Sequence, residues 1–154
     1  MSKVNPIPPG HHTVTPSLTV RDAVRAIDFY KRAFGAVERG AMKGPGGLIV
    51  HAELLIGDSI VFVADEMPGM GNPSPQKVGA TTVGLHIYTE DCDAVFKRAI
   101  AAGATETMPL ADQFWGDRYG QLTDPFGHVW GIGTHREDLT EEQVAERMKA
   151  TMGA

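Results

Sequence analysis

One pattern of secondary structure is encoded twice in this chain, and it constrains the fold more than any other feature. Residues 23–36 (AVRAIDFYKRAFGA) are echoed by residues 93–104 (DAVFKRAIAAGA), and each segment has the apolar spacing of an amphipathic helix that ends at Gly-Ala. A predicted strand precedes each helix and a hairpin follows it. The sequence therefore predicts an α+β fold of two tandem βαβββ modules, each with a curved mixed sheet.

The two hairpins are recognised by their turns. The second reverses at residues 124–127 (DPFG), where proline suits the second position of a tight turn and glycine tolerates a positive φ. The first reverses at residues 57–58 (GD), and a two-residue turn there places Glu53 opposite Phe62. His51 and Glu53 lie two residues apart, so they share one face of their strand.

We expect a single domain over residues 1–154 whose parts follow the repeat. The predicted bounds are about 13–65 for module one, 66–81 for a linker rich in proline and glycine, about 82–135 for module two, and 140–152 for a C-terminal helix. That helix begins with a capping box, Thr140-Glu-Glu-Gln143. It lies outside the repeat and is expected to pack against a flank or a second subunit.

Composition narrows the range of partners and compartments. A net charge of −5, with dispersed lysine and arginine, argues against nucleic acid as a partner. No apolar run has the length of a membrane span and no segment resembles a signal peptide, so we predict a cytoplasmic protein without membrane contact. The single cysteine, Cys92, excludes an intrachain disulfide and a multi-cysteine zinc site.

The two predicted sheets should together form a binding site. Each helix buries one face of its sheet with its apolar stripe, which leaves the opposite faces of the two sheets to form a cup. Concave surfaces of this kind are where small molecules bind in proteins. We therefore expect a small-molecule ligand in the cup between the halves.

Several segments resemble the vicinal oxygen chelate superfamily, which includes glyoxalase I, extradiol dioxygenases, methylmalonyl-CoA epimerase, and fosfomycin and bleomycin resistance proteins. The resemblance runs from about Thr13 to Ile132 and is most specific at residues 18–30 (LTVRDAVRAIDFY), 102–104 (AGA) and 124–130 (DPFGHVW). Residues 6–16 (PIPPGHHTVTP) and 114–118 (FWGDR) look most like the PhnB-like, or glyoxalase and bleomycin-resistance-like, subgroup. The resemblance implies tandem βαβββ modules and a homodimer, with modules paired within one chain or swapped between chains.

The resemblance also implies where a metal would bind. Enzymes of this superfamily hold a divalent metal such as zinc, nickel, iron or manganese with four side chains, from the first and last strands of each module. By resemblance these positions fall at Thr15, at Val61 or the neighbouring Phe62, at Gly84 and at Gly131. None of them is a histidine, glutamate or glutamine, so we predict that the family metal site is missing and that no cofactor is bound.

A displaced metal site is the alternative. His51 and Glu53 on one strand and His86 on the central strand of module two carry suitable ligand atoms, if all three converge on the cup. The competing interpretation makes His51 and Glu53 a polar strand face with a local ion pair, and His86 a pocket-lining or hydrogen-bonded histidine. Which face of its strand lines the cup is left open for His51 and Glu53.

Aromatic and cationic side chains are the remaining candidates for the ligand site. The predicted ligand-binding residues are Phe62, His86, Tyr88, Trp115, Arg118 and Tyr119. Arg118 has a second interpretation, as the ion-pair partner of Asp117 or Asp112. If Gly131 faces the cup, the alternation of the strand turns Trp130 towards the helix.

Two function classes follow, with a third behind them. The first is a metal-independent small-molecule binding protein that resembles the family's antibiotic-sequestering members. The second is a metal-dependent lyase or dioxygenase that uses the displaced site. The third is a domain for protein association through the tail helix and the N-terminal arm.

Overall fold

The computed structural model describes residues 4–153, which form two compact units, unit 1 up to Ala80 and unit 2 from Thr81. The elements of unit 1 are β1 (Ser17–Val20), α1 (Ala23–Phe34), β2 (Val37–Lys43), β3 (Ile49–Ile56), β4 (Ser59–Asp65) and the single-turn helix α2 (Pro75–Val78). Those of unit 2 are β5 (Gly84–Tyr88), α3 (Cys92–Ala102), β6 (Thr105–Asp112), β7 (Asp117–Thr123), β8 (Val129–His135) and α4 (Glu141–Met152). The predicted α+β fold of tandem βαβββ modules is confirmed.

The two sheets have the same topology. Each is four-stranded, with the order β1-β4-β3-β2 in unit 1 and β5-β8-β7-β6 in unit 2. The first strand of each unit runs parallel to the last, and the other pairs are antiparallel. The register of the first hairpin places Glu53 opposite Phe62, as its two-residue turn predicts.

In unit 1, α1 covers one face of the sheet with its apolar stripe. The Asp22 side chain caps the helix by accepting from the Arg25 amide at 3.1 Å. Buried Asp65, on the last strand, accepts from the amides of Ala23 and Ile49, each at 2.7 Å. Its carboxylate therefore ties the start of the helix to the start of β3. The helix buries Ala23, Ala26, Ile27, Phe29, Tyr30, Ala33 and Phe34.

In unit 2, α3 packs on β6, β7 and β8. Trp130 is 2% exposed and its indole donates to the buried Asp124 carboxylate at 2.9 Å. Asp124 also accepts from the amides of Phe126 and His128, so it closes the predicted hairpin turn from inside. Trp130 is thus part of the core beneath the helix.

Three details go beyond the module bounds that the sequence predicts. Module one is predicted from about residue 13, whereas β1 begins at Ser17, because Pro16 has no N–H to donate to the sheet and contributes only its carbonyl, to the amide of Phe62. β6 extends to Asp112, where it still pairs with Arg118 on β7. The linker contains α2, which Ser74 caps through the Lys77 amide.

The C-terminal helix α4 spans the residues that the sequence predicts. Both hydrogen bonds of its capping box, between Thr140 and Gln143, are present. None of its residues is buried. No helix within residues 4–153 is long and apolar enough to cross a bilayer.

Candidate functional site

Each sheet has a second face, which its helix does not cover and which we call the open face. In unit 1 the buried residues Leu54, Val61 and Val63 alternate with half-buried Glu53 and Phe62. Val61 therefore packs beneath the helix at 5% exposure, and Phe62 is its neighbour on the open face. Of the two alternatives for the family position on this strand, Phe62 is the residue on the open face.

The open face of unit 1 combines one aromatic ring with a small polar group. The Phe62 ring lies 4.7 Å from His51 and 5.8 Å from His11, measured between ring centroids. Nε2 of His51 and Nε2 of His11 lie 3.6 Å and 3.5 Å from Oε1 of Glu53. These distances are too long for hydrogen bonds and correspond to ion pairs only when the imidazoles are protonated. Nδ1 of His11 is buried, with no hydrogen-bond partner among the described residues.

The open face of unit 2 is dominated by rings, which we call the aromatic cluster: His86, Tyr88, Trp115 and Tyr119. The imidazole of His86 stacks on Tyr119 with centroids 5.3 Å apart and an interplanar angle of 4°. Tyr88 lies 4.3 Å from His86, and Trp115 meets Tyr119 edge-on at 5.8 Å. Tyr88 is 64% exposed, so this cluster presents aromatic surface to solvent. Four of the six predicted ligand-binding residues are therefore neighbours.

Gly131 explains how these rings fit on the sheet. A Cβ at this position would lie 2.6 Å from Cε2 and 2.7 Å from the hydroxyl oxygen of Tyr119, and 3.0 Å from Nδ1 of His86. A Cβ at Gly133 would lie 3.2 Å from Nε2 of His86, whereas one at Gly84 meets nothing within 4 Å. The space that a ligating side chain at residue 131 would need is filled by Tyr119 and His86.

A buried carboxylate supports the aromatic cluster. Asp117 is 4% exposed, and its Oδ2 accepts from the Tyr88 hydroxyl at 2.8 Å and from the Trp115 indole at 3.0 Å. Its Oδ1 lies 2.8 Å from Nδ1 of His135, and Nε2 of His135 lies 3.0 Å from Asp138. The sequence prediction considered Asp117 only as a partner for Arg118, and it missed His135. The available signal was that Asp117 and Tyr119 are two apart on one strand.

The charges around this carboxylate shift several pKa values. Burial would raise the pKa of Asp117, but hydrogen bonds from His135, Tyr88 and Trp115 outweigh it and lower the pKa. The bond to Asp117 raises the pKa of Tyr88. Burial lowers the pKa of His86, although the charge of Asp117 acts in the opposite direction. The net lowering favours a neutral imidazole in the cluster. Hydrogen bonds to Asp138 and then Asp117 raise the pKa of His135.

Arg118 points away from the aromatic cluster. Its guanidinium binds both carboxylate oxygens of Asp93 on α3, with Nε at 2.6 Å and Nη2 at 2.7 Å, and Nη1 lies 3.4 Å from Asp112. The expected pairing with Asp112 is therefore present, but Asp93 is the main partner. We leave Arg118 out of the candidate site because its charge is already satisfied on the helix side of the sheet.

The residues at the family's metal positions do not fit a metal. Thr15 lies before β1, and the Phe62 side chain has no atom that could bind a metal. Gly84 and Gly131 have no side chain. For the displaced site, His51 and Glu53 belong to unit 1 and His86 to unit 2. Over residues 4–153 no three histidine, cysteine, aspartate or glutamate side chains are grouped so that they would hold a metal ion. We therefore derive no chemistry through a metal.

The repeated units and their open faces define a tandem βαβββ protein. The chain belongs to the glyoxalase/bleomycin resistance protein/dioxygenase superfamily, whose family model matches residues 10–132.

Relatives of this chain are found among curated sequences and solved structures. The uncharacterized protein Rv0887c of Mycobacterium tuberculosis is 44% identical over 140 residues, which cover 89% of this chain and 82% of that protein. The structure of TioX from Micromonospora sp. ML1 is 29% identical with a TM-score of 0.62, and the match covers 80% of this chain and 98% of that one. A PhnB protein of Bacillus cereus has a TM-score of 0.63 at 19% identity, with 80% and 99% coverage, and shows the fold alone.

Proposed function

We propose that this protein binds an aromatic or apolar small molecule without the family metal, and that the aromatic cluster of unit 2 is its main contact surface. The observation that carries the proposal is at Gly131. The position where the family holds its metal with a side chain is glycine, and the Tyr119 ring and the His86 imidazole lie over it. In this proposal, aromatic surface takes the place of a metal-binding side chain at residue 131.

The cluster suits a flat ligand. Aromatic rings prefer offset-stacked or edge-on partners with centroids about 4.5–7 Å apart, and each such contact contributes roughly 0.5–1.5 kcal/mol beyond the burial of area. Tyr88 exposes 64% of its surface next to His86, so it offers an uncovered ring. Burial lowers the pKa of His86, and a lower pKa favours the neutral imidazole and therefore stacking over ion pairing. Phe62 supplies aromatic surface on the open face of unit 1.

The test is binding of flat aromatic probes to the purified protein. 1-Naphthol, quinoline and 8-anilinonaphthalene-1-sulfonate are titrated by calorimetry and by quenching of tryptophan fluorescence. We expect at least one probe to bind, and Tyr119→Ala to weaken that binding about 10-fold, because a lost stack and its buried area together are worth about 1.4 kcal/mol.

Val24→Ala is the matched control, because Val24 is an exposed apolar residue on α1. It should leave the affinity unchanged. The proposal fails if none of the three probes binds, or if Tyr119→Ala binds as tightly as the Val24→Ala control.

A metal-dependent lyase or dioxygenase is the second candidate function. It is favoured by one observation, that two imidazole nitrogens lie 3.5 Å and 3.6 Å from the same oxygen of Glu53. Within residues 4–153 these side chains are not grouped so that they would hold a metal ion, so this candidate requires them to move when a metal binds. This candidate predicts a bound divalent metal that is lost in His51→Ala, as elemental analysis would show. Equal metal content in the wild type and the variant would exclude it.

We also propose a homodimer and a cytoplasmic location, and we assign the chain to the PhnB-like subgroup. The subgroup rests on the resemblance of residues 6–16 and 114–118, and the Bacillus cereus structure supports only the fold. Light scattering after size exclusion should give twice the chain mass of 16.5 kDa. A mass of one chain would contradict the dimer, and recovery of the native protein in a membrane or secreted fraction would contradict the location.

A further inference from the structure

Two rings of the aromatic cluster depend on one oxygen atom. Oδ2 of Asp117 accepts from the Tyr88 hydroxyl, at the end of β5, and from the Trp115 indole, in the loop before β7. The two donors come from segments 27 residues apart in the sequence, and within residues 4–153 Asp117 is the one hydrogen-bond partner given for the Trp115 indole. Their shared acceptor therefore sets the position of one ring relative to the other.

The other oxygen of this carboxylate links the cluster to the C-terminal segment. Oδ1 of Asp117 meets Nδ1 of His135 at the end of β8, and Nε2 of His135 meets exposed Asp138. The same segment is fixed by the Gly116 carbonyl, which accepts from the amides of Arg136 and Glu137, each at 3.0 Å. The loop that carries Trp115 is therefore held from both sides, by Asp117 and by the residues after β8.

We propose that Asp117 is the positioning residue of the ligand site: it does not touch the ligand, but it orients Tyr88 and Trp115 to receive one. This inference rests on the proposed function, since it assigns a role within that binding site. Rings held in their bound orientation lose less conformational entropy when a ligand docks, which raises affinity without a new contact.

Within residues 4–153, the groups that face this carboxylate lie on the neighbouring elements. They are Tyr88 and His86 on β5, Trp115 on the loop, His135 on β8 and, behind His135, Asp138. Asp117 is 4% exposed, so an alanine there would leave the Tyr88 hydroxyl and the Trp115 indole without their acceptor. Both rings would then be free to turn towards water.

The variant Asp117→Asn distinguishes the hydrogen bonds of Asp117 to the two rings from the effect of its negative charge. The amide oxygen of Asp117→Asn still accepts from both Tyr88 and Trp115, while its amide nitrogen can donate to neutral His135. This variant should bind the probe within about 3-fold of wild type, whereas Asp117→Ala should lose about 10-fold, the equivalent of one or two hydrogen bonds. Asp138→Asn, which changes only the exposed partner of His135, is the matched control and should bind like wild type.

The two tryptophans provide a readout that does not depend on ligand. Each indole N–H donates to a different buried aspartate, Trp115 to Asp117 and Trp130 to Asp124. In a ¹⁵N-correlated NMR spectrum, assigned with Trp115→Phe, the alanine variant should shift the Trp115 indole signal and leave the Trp130 signal in place. Probe affinity for 1-naphthol, quinoline and 8-anilinonaphthalene-1-sulfonate is measured on the same samples.

The outcomes separate the inference from the proposed function. If the wild type binds a probe and Asp117→Ala binds it equally well, Asp117 is not a positioning residue and the inference is overturned, while the proposed function stands. If no probe binds the wild type, the proposed function fails and the inference with it. If Asp117→Ala does not fold, Tyr88→Phe replaces it, because it removes only the hydroxyl. That variant should weaken binding about 3-fold, and unchanged affinity would overturn the inference.

Discussion

The close packing over Gly131 makes a quantitative prediction about stability. In Gly131→Ala the new Cβ would lie 2.6 Å and 2.7 Å from two atoms at the tip of the Tyr119 ring and 3.0 Å from Nδ1 of His86. Overpacking of this kind typically destabilises by about 1–3 kcal/mol. Removing a glycine from a strand contributes roughly 0.5–1 kcal/mol in the opposite direction. From central values of about 2 and 0.75 kcal/mol, we expect a net loss of about 1 kcal/mol in the free energy of unfolding, within a range of about 0–2.5 kcal/mol.

Gly84→Ala is the matched control, because it adds the same methyl group to the open face of the same sheet. Among the described residues, 4–153, no atom lies within 4 Å of a Cβ built at Gly84. That variant should therefore be neutral, or more stable by up to about 1 kcal/mol. Urea unfolding followed by circular dichroism measures both variants against the wild type.

A double-mutant cycle tests the cause of the effect. In a Tyr119→Ala background the two shortest contacts are gone and only the 3.0 Å approach to Nδ1 of His86 remains, so Gly131→Ala should become neutral, or stabilising by up to about 1 kcal/mol. The coupling free energy between residues 119 and 131 should then be about 1–3 kcal/mol. If Gly131→Ala is as harmless as Gly84→Ala, or if the coupling is near zero, Tyr119 does not occupy the family's ligand position in solution.

Three further variants test other parts of the account. Gly116→Ala should lower the free energy of unfolding by at least about 2 kcal/mol, because Gly116 has φ +99° and an added Cβ would lie 2.5 Å from a backbone oxygen. Thermal unfolding measures this loss, and a neutral effect would contradict the packing. Asp65→Ala should lower the free energy of unfolding by about 2–4 kcal/mol, because it leaves two backbone amides in the core without their acceptor. Urea unfolding measures this loss, and a value below about 0.5 kcal/mol would contradict the role of Asp65. His135→Gln tests the raised pKa of His135, which implies that protonated His135 stabilises the folded protein. The variant should be less stable than the wild type by the full amount below the unfolded pKa near 6.5. This difference should disappear as the pH rises through the higher folded pKa. A stability difference that grows with rising pH would show the opposite sign.

The fold was predictable because its signals are local. Helix α1 is defined by an apolar stripe between Asp22 and Gly35, and both residues cap it as the sequence indicates. The turn at residues 57–58 determined the register of the first hairpin in the same way. The linker helix was missed because a single turn after Ser74 and Pro75 leaves no periodic pattern to detect.

The site was less predictable because it depends on contacts between distant segments. The sequence showed Gly131 only as a missing metal donor, whereas its packing role depends on the pairing of β7 with β8 and on the orientation of Tyr119. Two of the partners of Asp117, Tyr88 and His135, lie 29 and 18 residues away from it in the sequence. The partner of Arg118 could not be predicted from its residue type, because the ion pair with Asp93 forms only when α3 packs on the sheet.

Metal content shows whether aromatic rings have replaced a metal ligand on the sheet of unit 2. The purified protein is incubated with zinc, nickel, manganese and ferrous ions in turn, dialysed, and analysed for metal per chain. We predict far less than one ion per chain for every metal, because no three histidine, cysteine, aspartate or glutamate side chains within residues 4–153 are grouped to hold an ion. One ion per chain that survives dialysis would contradict the account.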